Sequence, residues 1–171
     1  MAVIIVDGYN MIGQWPPLSA LRDEALELAR TALLDLLADY ARASGHDVTV
    51  VFDADRAPEP ETRLDYHGLS VVYTAYGETA DAWIEKAVRQ NRGERAAEEL
   101  YVATSDRLVA LSALGGGARR ISADELWRDV MGLRREVRAA IEARSRGRER
   151  PALWMRLPED VRMFFEKYRR Q

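Results

Sequence analysis

The 171-residue chain contains no cysteine and only two histidines, His46 and His67. The lack of cysteine excludes disulfides, Cys-ligated zinc, iron–sulfur clusters and a cysteine nucleophile. Two histidines cannot form a three-histidine zinc site, and the chain has no HExxH, GxSxG or GxxxxGK[ST] pattern. Zinc proteases, serine hydrolases and Walker-type ATPases are therefore excluded as function classes.

Long apolar runs are also absent. No run approaches the roughly 18 residues of a membrane span, and the opening MAVIIVD lacks the basic leader of a signal peptide. We therefore expect a cytoplasmic protein without a membrane partner. With 47% apolar and 31% charged residues, the composition is typical of a globular protein with one main domain.

The small net charge of −3 hides an uneven distribution of charge along the chain. Residues 1–133 carry 13 basic and 22 acidic side chains, whereas residues 134–171 carry 12 basic and 6 acidic ones. A basic C-terminal segment predicts a polyanionic partner, although the acidic body argues against indiscriminate binding of nucleic acid. Arginine outnumbers lysine 23 to 2, which suits phosphate binding but is equally expected from codon bias.

Short apolar runs alternate with segments of helical periodicity, which predicts an α/β fold with an open, mostly parallel sheet flanked by helices. We expect residues 1–145 to form the domain and residues 146–171 a basic helical extension. Residues 55–65 are predicted to be a loop. The predicted strands are 3–6, 48–52, 69–73, 100–104 and 119–121, and the predicted helices before the extension are 18–43, 79–91, 108–114 and 122–144.

Acidic residues follow several of the predicted strands. Asp7, Asp53 and Asp106 each stand at the end of a different strand, and Glu78 and Asp81 open the helix after the third strand. Because the carboxyl ends of parallel strands meet at one edge of a sheet, these carboxylates should converge there. Oxygen ligands without cysteine favour Mg²⁺ or Mn²⁺, and a carboxylate-bound divalent ion is suited to phosphodiester hydrolysis.

Five segments of the chain, in this order, resemble the NYN domain in the YacP-like branch of the PIN-type nucleases. The resemblance covers nearly the whole chain. It implies a three-layer PIN-like fold and a Mg²⁺-dependent endoribonuclease that acts on single-stranded RNA, with mRNA and the ribosome as partners. The segments are DGYNMIG (7–13), VVFDA (50–54), YGETAD (76–81), VATSD (102–106) and GARRISA (117–123).

The resemblance also implies roles for individual residues. Asp7, Asp81 and Asp106 match the catalytic, metal-binding acids of the family, and Asn10 matches its paired polar residue. Asp53 fits the motif either as a metal ligand or as a support of the site. Asn10 has an alternative role in closing the loop after the first strand.

Two further groups are candidate RNA contacts. Trp15 lies in the loop after Asp7, where it would stack on a base or, alternatively, pack against the following helix. Ser105 would bind a phosphate or cap the next helix. The basic extension supplies the remaining candidates, for which a simply solvated face is the alternative: Arg146, Arg148, Arg150, Arg169 and Arg170.

Two other functions are compatible with the same residues. The chain would be a catalytically inactive RNA- or ribosome-binding module if its acids do not bind metal. It would be a phosphatase or nucleotide hydrolase if the acids act on small phosphate esters, since a fold alone does not determine a substrate. Activity on single-stranded RNA separates these functions from the nuclease.

Overall fold

The computed structural model of the chain describes residues 1–54, 59–94 and 99–148, without the side chains of residues 92–94 and 146–148. Within these ranges, six strands form one sheet and six helices flank it. The strands are β1 (Ala2–Asp7), β2 (Asp47–Phe52), β3 (Thr62–Tyr66), β4 (Leu69–Tyr73), β5 (Glu99–Ala103) and β6 (Arg119–Ile121). The helices are α1 (Gly8–Gln14), α2 (Pro16–Glu24), α3 (Leu26–Ser44), α4 (Ala80–Glu94), α5 (Arg107–Gly115) and α6 (Ala123–Arg148).

The sheet has the strand order β3-β4-β2-β1-β5-β6, and only β3 is antiparallel to its neighbour. The predicted fold class is therefore confirmed. In the register of the central strands, Asp7 is paired with Val51 and Val6 with Ala103. The ends of β1, β2 and β5 consequently lie side by side at one edge of the sheet.

The sheet separates two apolar clusters, because successive side chains of a strand point to opposite faces. Val6 and Val50 belong to a cluster with α1, α2, α3 and α6, while Ile5 and Val51 belong to a cluster with α4 and α5. Burial on both faces explains why these strands are almost wholly apolar. Polar side chains of the central strands are therefore found mainly at the strand ends.

Three elements differ from the sequence prediction. Residues 8–14 form α1, where a loop was expected, and the predicted helix 18–43 is two helices that break at Ala25, whose backbone is extended. Residues 62–66 form β3 instead of continuing the loop. This strand is exposed at four of its five residues, so its sequence lacks the apolar alternation by which strands are recognised.

The chain divides into two compact units, residues 1–134 and 135–171. In the second unit the described residues continue α6 to Arg148, and the side chains of residues 135–145 are exposed. The predicted domain boundary at residue 145 stays a prediction. Arg146 and Arg148 lie in the last turn of α6 without described side chains, and Arg150, Arg169 and Arg170 lie outside the described residues. None of the helices described here is long and apolar enough to cross a membrane.

Candidate active site

Asp7 links β1 directly to α1. It is the N-cap of the helix, and its Oδ1 accepts a hydrogen bond from the backbone N–H of Asn10 at 3.1 Å. The next residue must be glycine, because a Cβ at Gly8 would overlap the ring of Phe52. This close approach lets the helix begin at the strand end and holds Asp7 in a buried position, with 9% of its surface exposed.

Asn10 connects the end of β1 to the end of β5. Its side-chain Oδ1 accepts a hydrogen bond from the backbone N–H of Ser105 at 2.9 Å. Asp106 then caps α5 by accepting from the backbone N–H groups of Leu108 at 2.7 Å and Val109 at 3.4 Å. Asn10 therefore joins two strand ends in addition to lying within the α1 segment. The cap of α5 is Asp106, so the alternative of a Ser105 cap is wrong.

Asp53 bonds to the start of α4 as Asp106 bonds to the start of α5, although Asp53 and α4 are distant in sequence. Its Oδ1 accepts a hydrogen bond from the backbone N–H of Ala80, the first residue of the helix. Thr79 accepts from Ala82 N–H at 3.2 Å and completes the helix start. Asp81 lies in this first turn, so Asp53 helps to determine where the Asp81 carboxylate lies.

The charges of four carboxylates meet at this edge of the sheet. Burial raises the pKa of Asp7 from 3.8 to about 6, the hydrogen bond from Asn10 opposes this rise, and the charges of Asp81, Asp53 and Asp106 add to it. Burial raises the pKa of Asp81 as well, followed by the charges of Asp106 and Asp53. Mutual repulsion of this kind is relieved by a bound cation.

Glu78 is the one predicted acid that the structure directs elsewhere. Its carboxylate forms an ion pair with Lys86 Nζ at 3.8 Å, and it is not among the charges that raise the pKa of Asp7 or Asp81. The prediction that Glu78 opens the helix together with Asp81 is also wrong, because α4 begins at Ala80 and leaves Glu78 outside the helix.

The acids fit a metal ion of a particular kind. Among the described residues, no three Asp, Glu or His side chains are arranged as a ready ligand set for one ion. Mg²⁺ does not require one, since it is commonly held by one or two carboxylates together with water and substrate phosphate. In Asp7, Asp53 and Asp106, the hydrogen bonds from the helix N-termini are all accepted by Oδ1. The Oδ2 atom of each carboxylate would be the one to bind an ion. Hard oxygen donors with repelling charges suit Mg²⁺ or Mn²⁺.

The two histidines lie at the opposite edge of the sheet from the acids. His46 precedes β2 and its Nδ1 accepts from the backbone N–H of Ala2 at 3.4 Å, which places it at the amino end of the central strands. His67 is in the turn between β3 and β4, with a positive φ of 55°. Neither imidazole is placed to act with the carboxylates.

Trp15 does not have the predicted role of a base-stacking residue. Only 1% of its surface is exposed, its Nε1–H donates to the carbonyl oxygen of Ala123 at 3.0 Å, and its ring lies 4.9 Å from that of Trp127. The packing alternative is the one that the structure supports. The Pro16-Pro17 sequence starts α2 immediately after Trp15 and turns the indole into the core.

Thr74 is part of the site although the sequence pattern did not point to it. This residue is 1% exposed; its Oγ1 accepts from the backbone N–H of Ala54 at 2.9 Å and donates to the carbonyl oxygen of Glu78 at 2.6 Å. It thereby ties the segment that carries Asp53 to the segment that leads into α4. Its only signal in the sequence is a threonine directly after an apolar strand.

We expect the metal-free protein to lose stability as pH rises from about 4 to about 6. Because the pKa of Asp7 is higher in the folded state, the fold binds this proton more tightly than the unfolded chain does. The free energy of unfolding should fall by up to about 3 kcal/mol through this residue alone. Urea unfolding of wild type and Asp7→Asn in EDTA measures the effect. Their free energies of unfolding should be similar at pH 4, and that of the variant should be higher above pH 6. A pH-independent difference would contradict the assignment.

The comparisons with known proteins agree on one family. The family model of the YacP-like NYN domain matches residues 4–170. The YacP protein of Bacillus subtilis (strain 168) is 39% identical over 170 residues, which cover 99% of this chain and 98% of that protein. The crystal structure of Rae1 (YacP) from Bacillus subtilis is similar with a TM-score of 0.74 at 38% identity, covering 99% of this chain and 95% of that one. The crystal structure of a mutant of the same protein is similar with a TM-score of 0.74 at 33% identity, and the match covers 98% of this chain and 99% of that one. The chain belongs to the YacP-like NYN domain family.

Proposed function

We propose that the chain is a divalent-metal-dependent endoribonuclease that hydrolyses single-stranded RNA, with mRNA as substrate and the ribosome as its setting. The observation that carries this proposal is the buried Asp7 carboxylate, whose pKa is raised by burial and by the charges of Asp81, Asp53 and Asp106 at the carboxyl edge of the sheet. The family membership, which is consistent with a nuclease-type fold, supports it.

The proposed roles follow from the positions of the acids. Asp7, Asp81 and Asp106 would hold Mg²⁺ or Mn²⁺, and the bound ion would polarise the phosphoryl group and activate a water. Asp53 is tied to the start of α4 and acts mainly by positioning Asp81. Asn10 keeps the ends of β1 and β5 together through Ser105. In the reaction the oxygen of water would bond to phosphorus while the bond from phosphorus to the leaving sugar oxygen breaks. One proton of the water would pass to solvent, and the leaving oxygen would take up a proton from solvent to become a hydroxyl group.

The basic extension has a separate role in the proposal. Arg146, Arg148, Arg150, Arg169 and Arg170 contribute phosphate contacts that offset the acidic character of residues 1–133. Such contacts raise affinity for any RNA and weaken with salt. They are not required for the chemical step, because the acids alone supply the metal ligands.

Incubation of the purified full chain with end-labelled single-stranded RNA tests the proposed activity. Internal cleavage is expected with Mg²⁺ or Mn²⁺ and none with EDTA. Double-stranded RNA, single-stranded DNA and p-nitrophenyl phosphate serve as comparison substrates. RNA binding without cleavage in any metal would support the inactive binding module instead, and turnover of the phosphate ester without RNA cleavage would support a phosphatase.

Replacement of Thr74 by valine is expected to lower the maximal rate of RNA cleavage. The change keeps the side-chain shape but leaves Ala54 N–H and Glu78 C=O without their partner, which should cost about 1–3 kcal/mol of stability and displace both Asp53 and the start of α4. Cleavage rates at saturating RNA and metal, together with urea unfolding, measure the two effects.

The conservative control is Thr74→Ser, which retains the hydroxyl group and should restore most of the rate. A Thr74→Val variant with a normal maximal rate, despite reduced stability, would show that Thr74 supports the fold only and does not position the acids.

A further inference from the structure

A second concave surface lies beside the acids, at the same edge of the sheet. This edge pocket has a volume of about 400 Å³, within the size range of sites for small organic groups. The residues that line it come from the end of β2, the end of β4, the start of β3 and the segment before β3. They include Ala54, Pro60, Thr62, Leu64, Tyr73 and Thr74.

The edge pocket is close to the acids but separate from them. Ala54 follows Asp53 directly, and β4 and β3 are the second and third strands from β1 in the sheet order. With a strand spacing of about 4.8 Å, they lie roughly 10–14 Å from the strand that carries Asp7. Leu64 is paired with Val71, on the face of the sheet that carries Phe52, whereas Asp53 stands two residues after Val51, on the opposite face. A group bound in the edge pocket therefore lies across the edge of the sheet from a phosphate held by the acids and is not the reacting group.

Its surface is apolar on one side and polar on the other. Leu64 is 52% exposed although it is a large apolar residue on an edge strand. The half-buried ring of Tyr73 stacks on Phe52 with centroids 5.5 Å apart and an interplanar angle of 22°, which holds it in one orientation. Glu59 and Thr62, both of which carry hydrogen-bond acceptors, line the same pocket. An apolar, partly aromatic surface next to an acceptor matches a planar heterocycle that carries an amino group.

The charge of the chain favours bases over phosphates at this position. Residues 1–133 contain 22 acidic and 13 basic side chains, so RNA gains little there from its backbone. Stacking and apolar contacts with a base do not depend on that charge balance.

We propose that the edge pocket binds one nucleobase of the RNA substrate, from a nucleotide that neighbours the cleaved one, and prefers a base with an exocyclic amino group to uracil. This inference rests on the proposed function, because it assumes that RNA lies along the carboxyl edge of the sheet. It adds a determinant of sequence preference that the metal-binding acids cannot provide.

Binding of short fluorescein-labelled RNAs tests the inference. Each RNA carries one abasic nucleotide at a different position, and anisotropy is measured in EDTA so that cleavage does not interfere. For wild type, one abasic position should weaken binding at least about fivefold, the lower limit for loss of a stacked base. Uracil at that position should bind less tightly than adenine or cytosine.

Variants then assign the effect to the edge pocket. In Leu64→Ala and Tyr73→Leu, the penalty for the abasic position should shrink or vanish. The matched control is Leu28→Ala on α3, which removes a side chain of similar exposure, 57%, and should leave the penalty unchanged. Urea unfolding establishes whether each variant is folded. If Tyr73→Leu is not folded, Leu64→Ala alone provides the test of the edge pocket.

The result also separates this inference from the proposed activity. The inference about the edge pocket is overturned if no abasic position weakens binding more than the others, or if the penalty is the same in wild type and Leu64→Ala. Either result would hold even if the protein cleaves RNA. A position-specific penalty that Leu64→Ala abolishes supports the edge pocket even if no metal produces cleavage, in which case only the proposed activity fails.

Discussion

Replacement of Asp7 by asparagine is expected to reduce RNA cleavage at least about 100-fold, since loss of residues that only support metal ligands already costs about 10- to 100-fold. Asparagine has nearly the same shape and can still accept the hydrogen bond from Asn10 N–H, which is 3.1 Å long in the wild type. What it removes is the charge that would hold the cation in the proposed function. The measurement is the initial rate of cleavage of end-labelled single-stranded RNA in Mg²⁺ and in Mn²⁺.

A matched control is Asp39→Asn on α3, where the carboxylate pairs at 3.6 Å with Arg42 at the surface. This variant loses the same charge near the end of α3, which leads into the amino end of β2 and not to the edge with the acids, and it should cleave RNA at the wild-type rate. Full activity in Asp7→Asn would exclude Asp7 as a metal ligand. Loss of activity in both variants would indicate a general effect of charge and not a site.

Replacement of Trp15 by alanine is expected to lower the free energy of unfolding by about 3–5 kcal/mol. The indole is almost fully buried, contacts the ring of Trp127 and donates a hydrogen bond to the carbonyl oxygen of Ala123. Its removal leaves a large cavity between α1, α2 and α6. Urea unfolding monitored by circular dichroism measures the loss.

The variant Trp15→Phe separates packing from hydrogen bonding, because it keeps an aromatic ring and removes the indole N–H. We expect it to retain more stability than Trp15→Ala. RNA affinity that falls in Trp15→Phe while stability remains near that of wild type would contradict the packing role and restore Trp15 as a base-stacking residue.

Side chains that depend on distant parts of the chain were not predictable from the sequence. Thr74 bonds to Ala54 and Glu78, and Asp53 caps a helix that starts 27 residues later. Such partners are set by strand order, which local patterns do not encode. The role of Trp15 was not predictable for the same reason, because its neighbour Trp127 is on α6. Glu78 was misplaced because it precedes Thr79 at the helix start and pairs with Lys86, a partner that the local pattern does not reveal.

The sequence by itself determined the fold class and the gathering of Asp7, Asp53, Asp81 and Asp106, because buried parallel strands require continuous apolar runs and their ends meet at one edge. It did not determine α1, the break at Ala25 or β3, since these depend on a glycine packed against Phe52, on an extended backbone at one alanine and on pairing of an exposed strand with β4. Only the tertiary structure decided which carboxylate is buried and which is exposed. Burial is a property of packing between distant segments, and it is burial that raises the pKa of Asp7 most.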